Sequence, residues 1–336
     1  MDYPFVLGVI LLGALVLYAL GGGADFGGGV WDLFAGGPTA ARQRELIATA
    51  IGPIWEANHV WLILVIVLLF SCFPLAFSAI ATALHVPLTL MLIGIVLRGA
   101  AFTFRTYDRD DVRTQRRWSR VFAIASIITP IMFGVCVGAV LSGRIRVDRL
   151  TGEVGTNFVS EWLAPFPFAL GLFALALFAY LAAVYLTVEA RTPDLRRAFR
   201  SRALVAAIAT GVLAWACFFL ARDGAPIMHS GLAGRDWSLP FQVATGGVAL
   251  AALAALWTER YPLARVLAIG QVTLVVLGWG FAQYPFLIEP DLTIHNAAAH
   301  PAVLRLVTIA LGIGAILLLP SLAFLYRLFK SSRGPA

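Results

Sequence analysis

The chain has 336 residues, of which 60% are hydrophobic and 13% are charged, and its formal net charge is +7 at pH 7. A soluble domain carries roughly 25% charged residues, so the composition excludes a globular protein that faces water on all sides. Cys72, Cys136 and Cys217 stand singly in apolar stretches. They predict buried free thiols and no cysteine-based metal site.

Apolar segments long enough to cross a bilayer as a helix, about 20 residues each, recur about nine times along the chain. They predict an all-α polytopic membrane protein. The segments lie near residues 4–24, 53–73, 80–102, 121–141, 165–188, 203–221, 241–257, 263–284 and 303–326.

The basic residues predict how these spans are oriented. If the N-terminus lies outside, only six of the 25 Lys and Arg residues fall in outer loops, namely Arg144, Arg146, Arg149, Arg222, Arg235 and Arg305. The positive-inside rule then favours an outer N-terminus and a cytoplasmic C-terminus. Because the remaining basic residues are spread over cytoplasmic loops, they indicate topology and lipid contact, and no nucleic-acid partner.

The same alternation predicts a single integral membrane domain, 1–336, with an internal repeat. The first and fifth spans cross the membrane in the same direction, which predicts two four-helix bundles and one last helix. The first bundle is 1–141, the second is 160–284, and the last helix is 303–326. The polar motifs all belong to the first bundle.

The first of these motifs ends span one. Six glycines surround Asp25 between Gly21 and Gly29. Glycines disfavour a helix, so we expect the span to end here, and they also allow a neighbouring helix or a cofactor to approach closely. Packing accounts for the glycines but not for a carboxylate in a membrane, so Asp25 is a functional candidate.

The second motif opens span two, where Glu56 and His59 are three residues apart and share a helix face. A carboxylate beside an imidazole can pass a proton near neutral pH. A plain helix start with an acidic residue near the dipole is the alternative interpretation of Glu56. Arg98, near the inner end of span three, is expected at the same depth, whereas His85 lies roughly 20 Å away at the outer end.

The residues of both motifs resemble the second subunit of cytochrome bd quinol oxidase. The resemblance is carried by Asp25-Phe26-Gly27-Gly28-Gly29 and by Gly52-Pro53-Ile54-Trp55-Glu56-Ala57-Asn58-His59-Val60-Trp61. It continues in Phe73-Pro74, in Leu97-Arg98-Gly99-Ala100-Ala101-Phe102, and in Tyr284-Pro285 with Leu292-Thr293-Ile294. The order of motifs covers essentially the whole chain.

The resemblance implies a bacterial cell-membrane complex that couples quinol oxidation to reduction of O₂ to water and to a proton gradient. A partner, subunit I, would hold haem b and haem d, while this chain binds no haem firmly and can hold a structural quinone. A small single-helix subunit can join the pair, and quinol and lipid are the other expected partners. By motif position, Asp25, Glu56 and His59 would form a proton path, with Trp55 and Arg98 in support.

The sequence disfavours three other interpretations. A polytopic transporter would break matching helices of both halves near the midplane, whereas the glycine-rich motif has no partner in the second half. A haem-binding anchor would need axial ligands at one depth, and His59 and His85 are at opposite depths. A metal site from Glu289, Asp291, His295 and His300 has a spacing that matches no metal motif, so no metal is predicted.

Overall fold

The computed structural model describes residues 1–51, 55–107 and 112–331. Within these ranges the chain forms twelve helices and four short strands. The helices are α1 (Tyr3–Leu33), α2 (Ala40–Ile51), α3 (Trp55–Cys72), α4 (Pro74–Ala83), α5 (His85–Tyr107), α6 (Val112–Leu141), α7 (Pro165–Glu189), α8 (Pro193–Gly224), α9 (Pro226–Gly234), α10 (Ser238–Trp257), α11 (Tyr261–Gln283) and α12 (Pro301–Ser331). The strands are β1 (Arg146–Val147), β2 (Val154–Gly155), β3 (Phe286–Ile288) and β4 (Leu292–Thr293).

Eight helices in the described ranges are long and apolar enough to cross a membrane: α1, α5, α6, α7, α8, α10, α11 and α12. The number reaches nine if α2 and α3, which are bent by 53° relative to each other, form one broken span. The predicted all-α polytopic fold is therefore confirmed. The predicted count of about nine corresponds to the upper number.

Helix α1 does not end at the glycines, so the expected end of span one near residue 24 is wrong. The helix continues to Leu33. A Cβ atom at Gly23 would lie 2.6 Å from the Phe178 ring of α7, and one at Gly27 or Gly29 would collide with α7 or with Ser126 of α6. The close approach of these helices to α1 compensates for the low helix propensity of glycine.

The predicted third span is divided into α4 and α5. The break falls at Leu84, and Pro87 follows in the first turn of α5. A proline has no backbone N–H to donate to the carbonyl four residues earlier, and its ring crowds that carbonyl. His85 therefore begins a helix, and its Nδ1 lies 3.0 Å from the Thr82 carbonyl oxygen.

Two antiparallel hairpins, β1–β2 and β3–β4, connect α6 to α7 and α11 to α12. We call the end of the bundle that carries them the hairpin end. The Arg146 guanidinium joins the two hairpins, since it donates to both carboxylate oxygens of Asp291 at 2.8 and 3.1 Å. The short helix α9 lies at this end too.

The opposite end, which we call the α2 end, is held by arginines. Arg42 of α2 forms an ion pair of 2.8 Å with Asp194 of α8. Arg202 of α8 donates to the Phe34 carbonyl and to Gln43, and Arg200 donates to the Leu256 and Trp257 carbonyls. These bonds satisfy the terminal carbonyls of α1 and α10, which have no partner within their own helices.

Helix α1 is central to the packing, because it contacts α3, α6, α7 and α11. The largest buried cluster joins Tyr18 and Phe26 of α1 to Phe178 of α7, and it continues into α8 and α11. The division into two four-helix bundles and a last helix stays a prediction. The polar side chains described below are embedded where α1, α3, α5 and α6 meet.

Candidate functional site

Asp25 is buried inside the bundle, with 3% of its surface exposed. Its Oδ2 accepts a hydrogen bond of 2.7 Å from Nδ2 of Asn58, which is itself 1% exposed. Asn58 reaches Asp25 because it lies in the first turn of α3, directly against the glycine-rich part of α1. The carboxylate is therefore held by a neutral amide from a second helix.

Arg98 provides the positive charge of the site. It is 2% exposed, and its guanidinium carbon lies 4.8 Å from the centre of the Phe26 ring and 5.2 Å from that of Phe122. Its charge acts on Asp25 and on Tyr18. A buried cation is costly unless it is compensated, and here an opposite charge and two aromatic faces compensate it.

His59 lies beside this pair, one residue beyond Asn58. Its half-buried ring is packed edge-on against Tyr18, at 6.1 Å between ring centres, and against Phe26, at 6.2 Å. Phe26 is thus a shared neighbour of the imidazole and of the guanidinium of Arg98. We call Tyr18, Asp25, Asn58, His59 and Arg98 the polar cluster.

The two remaining predicted site residues, Glu56 and Trp55, are not members of the polar cluster. Glu56 is exposed on the surface of this chain, in the first turn of α3, and so stands outside the buried cluster. The side chain of Trp55 lies outside the described part of the structure, as do residues 52–54 of the same motif. The structure therefore brings together Asp25, His59 and Arg98 among the five residues predicted from the sequence.

A second buried carboxyl group lies at the hairpin end. Glu289, between β3 and β4, is 1% exposed, and burial raises the pKa of its carboxyl to about 8. The backbone N–H of Met228, in the first turn of α9, opposes this rise in pKa. The residue that precedes α9, Ala225, offers no side-chain cap, so the glutamate lies where a cap is missing.

The neighbours of Glu289 in the loop have other roles. Asp291 is bonded to Arg146, and His295 faces Asp2 at 3.9 Å. The backbone N–H of Ala302 donates to Nδ1 of His300 at 3.3 Å. Within the described residues no group of three or more His, Cys, Asp or Glu side chains could hold a metal ion.

Glu289→Gln should flatten the dependence of stability on pH. The folded carboxyl keeps its proton up to pH of about 8, whereas an unfolded one loses it near 4.3. The folded state therefore binds more protons between these values, and stability falls as pH rises through this window. We expect the variant to gain thermal stability relative to the parent as pH rises from 6 to 8.5. Exposed Glu153→Gln controls for the lost charge, and an identical slope in parent and Glu289→Gln would contradict the role of Glu289.

Two apolar cavities open between the helices. One of about 660 Å³ is lined by α1, α6 and α11 and by the β3 hairpin, including Phe5, Leu12, Trp279 and Leu287. Another of about 420 Å³ lies between α6, α7, α8 and α10. Trp279 lines both, and its indole Nε1 meets no acceptor among the described residues.

Comparison with known families decides what kind of protein this is. The model of the family "Cytochrome bd terminal oxidase subunit II" matches residues 3–329. This chain belongs to that family. As a cytochrome bd subunit II, it is a subunit of a bd-type terminal oxidase, which is an oxidoreductase of the bacterial inner membrane. The family assignment favours this interpretation over the transporter.

Similar proteins agree with this membership. The putative cytochrome bd menaquinol oxidase subunit II of Bacillus subtilis (strain 168) is 24% identical over 336 residues, which cover 96% of this chain and 94% of the relative. The cytochrome bd-I ubiquinol oxidase subunit 2 of Escherichia coli (strain K12) is 28% identical over 168 residues, or 50% of this chain and 42% of the relative. The bd oxidase structure from Geobacillus thermodenitrificans matches with a TM-score of 0.80 at 20% identity, over 98% of this chain and 99% of the other.

Sequence reasoning missed two members of the polar cluster in this subunit II. Asn58 belongs to the α3 motif but received no role, although an amide in an apolar helix needs a partner when it is buried. Tyr18 gave no signal, because a tyrosine in a membrane helix is common. Only the packing of α3 against α1 brings the Asn58 amide to Asp25 and the His59 ring to Tyr18.

Proposed function

We propose that this subunit II conducts protons through Asp25 toward a haem-bearing subunit I, which oxidises quinol and reduces O₂ to water. The observation that carries the proposal is the buried Asp25 carboxylate, which accepts a hydrogen bond from Asn58 and is acted on by the charge of the buried Arg98. Ionisable groups inside a membrane are costly and are usually retained for function.

The arrangement suits a proton carrier. Asp25 can hold and release a proton, and Arg98 supplies a fixed charge that compensates its anion. Nε and Nη2 of Arg98 are buried and meet no acceptor within the described ranges, which leaves two donors for water along the path. His59, packed beside them, is the second group that can exchange a proton.

Glu56 would connect the cluster to the partner subunit. It is exposed on this chain, yet it belongs to the first turn of α3, three residues before His59. A carboxylate at a membrane helix terminus is favourable when it faces water or a second protein. We therefore assign Glu56 to the surface that subunit I covers, as the exchange point between the two subunits.

The orientation follows from the arginines. We infer that the α2 end, with Arg42, Arg200 and Arg202, faces the cytoplasm, and that the hairpin end faces outward. The N-terminus is then outside and the C-terminus cytoplasmic. Asp25 and Glu56 lie nearer to the α2 end, so the path would take protons from the cytoplasm and help to build the proton gradient.

The haems are assigned to subunit I, because the histidines at membrane depth in this chain do not suit axial ligation. The His59 ring packs against the rings of Tyr18 and Phe26, with its centre within 6.2 Å of each ring centre. His85 is exposed at the other end of α5 and stands 3.0 Å from the Thr82 carbonyl. We propose that haem b and haem d both bind the partner.

The larger cavity is proposed as the place for a structural quinone. Its walls are apolar, and the indole Nε1 of Trp279 offers a donor for a carbonyl oxygen. Of the relatives described above, one is named as a putative menaquinol oxidase subunit and the other as a ubiquinol oxidase subunit, and we propose one of these two quinols as the electron donor here. Lipid and a small single-helix subunit complete the proposed partners.

Glu56→Gln tests the path at its exposed point. The amide keeps the shape of the side chain but cannot carry a proton, so we expect assembly with haem to be normal and O₂ reduction to slow at least tenfold, toward the ~10²-fold typical of a lost acid–base group. The measurement is quinol-driven O₂ uptake by the purified complex. Glu45→Gln, an exposed carboxylate on α2, is the matched control, and full turnover in Glu56→Gln would remove Glu56 from the path.

A further inference from the structure

We propose that Asn58 is the positioning residue for Asp25 and that Gly21 provides the space in which its amide sits. The inference rests on the proposed role of Asp25 as a proton carrier. The inference gives functions to Asn58 and Gly21, which the role of Asp25 as a carrier does not specify. Both can be changed without altering any ionisable group.

The hydrogen bond from Asn58 distinguishes the two oxygens of Asp25. Nδ2 donates to Oδ2 at 2.7 Å, and an oxygen that accepts a short bond from an amide is a poor place for a proton. The proton is therefore taken up and released at Oδ1. Because the amide is neutral and has no acidic proton of its own, it orients the carboxylate without competing for the proton.

Gly21 makes this geometry possible. A Cβ atom at position 21 would lie 2.5 Å from Oδ1 and 2.8 Å from Cγ of Asn58. Contacts this short require one of the groups to move. The amide is the group that would move, because α1 is fixed on its other faces by α6 and α7. Gly21 lies one helical turn before Asp25, so it controls the position of Asn58 without touching the carboxylate.

The inference also explains why an asparagine is found here. A buried amide that only filled space would be replaceable by leucine, which has a similar size and fewer polar groups to satisfy. The short bond to Asp25 gives the amide a specific task. The hydrogen bond favours the ionised form of the carboxyl group, which sets the pH range in which the carrier is ready to accept a proton.

The test is the pH–rate profile of quinol-driven O₂ reduction by the purified complex carrying Asn58→Leu or Gly21→Ala. Loss of the donor should move the acid limb of the profile to higher pH by roughly one unit in Asn58→Leu. Gly21→Ala should move it in the same direction. Gly13→Ala is the matched control on the same helix, because a Cβ there would meet nothing within 4 Å.

The outcomes separate this inference from the proposed function. If Asn58→Leu and Gly21→Ala assemble with haem and keep the parental profile, the positioning role is wrong. If Asn58→Leu and Gly21→Ala both fail to assemble while Gly13→Ala assembles, the positioning role is also wrong, because Asn58 and Gly21 would then be needed for the structure of the subunit. Asp25→Asn decides the other question: if it retains full turnover, Asp25 is not the carrier, whatever the profiles of the two variants show.

Discussion

Asp25→Asn should lower the rate of quinol-driven O₂ reduction by the assembled complex by about 10²-fold, the contribution typical of one acid–base group. The amide occupies the same space, and its Oδ1 can still accept the bond from Asn58. It cannot take up a proton, however, so the path is interrupted at its buried point. O₂ uptake and proton uptake should fall together.

The matched control for this experiment is Asp32→Asn. Asp32 lies on the same helix, is 2% exposed, and stands seven residues from Asp25, which is roughly 10 Å along the axis. This control shows the effect of losing a second buried carboxylate from α1 while all five members of the polar cluster keep their side chains. Equal turnover in Asp25→Asn and the parent would contradict the assignment of Asp25. Equal slowing of both variants would assign the defect to α1 in general.

Gly27→Ala should destabilise the subunit by about 1–3 kcal/mol, the usual cost of overpacking. The new Cβ would collide with the Phe178 carbonyl of α7, and it would lie 2.8 Å from the Ala182 Cβ. A backbone carbonyl within a helix cannot rotate away, so α1 and α7 must separate. The resulting loss exceeds the gain in helix propensity of about 1 kcal/mol. The expected readout is a lower thermal midpoint of the purified complex.

Gly13→Ala again supplies the comparison, because it adds the same methyl group to α1 in open space. It should leave the midpoint unchanged or raise it slightly. A Gly27→Ala variant as stable as Gly13→Ala would show that the helices can adjust at no cost. The account of why α1 runs through six glycines would then be wrong.

Much of the architecture could be predicted from the chain, because a bilayer demands long apolar helices. The residues at which the spans end were harder to predict. Helix propensity alone ends α1 near Ala24, and only its neighbours explain why it continues to Leu33. Phe178, the residue that fills the space left by Gly23 and Gly27, lies about 150 residues away in sequence, and no local pattern reveals that pairing.

The hairpins and α9 were not predicted, since each is too short to give a periodic signal. Their stability comes from contacts between distant loops, such as Arg146 with Asp291. The same reason explains why Glu289 was seen only as a possible metal ligand. Its burial depends on how the β3–β4 hairpin packs near α6 and α9.

The candidate site was predicted in part. Polar residues in apolar helices are conspicuous, and this identified Asp25, His59 and Arg98. Their contact is a property of the packing, which the sequence left open. Asn58 was not predicted as a site residue, because an uncharged amide in a sequence gives no signal of its function. In the structure it donates a hydrogen bond to Asp25.

The most direct test of the central claim is to express this chain with its large partner subunit, purify through a tag on this chain alone, and record a reduced-minus-oxidised spectrum with quinol-dependent O₂ uptake. The account predicts that b- and d-type haem co-purify with the tag and that the preparation reduces O₂ at the expense of quinol. A stable tagged protein that brings neither haem nor partner would contradict it.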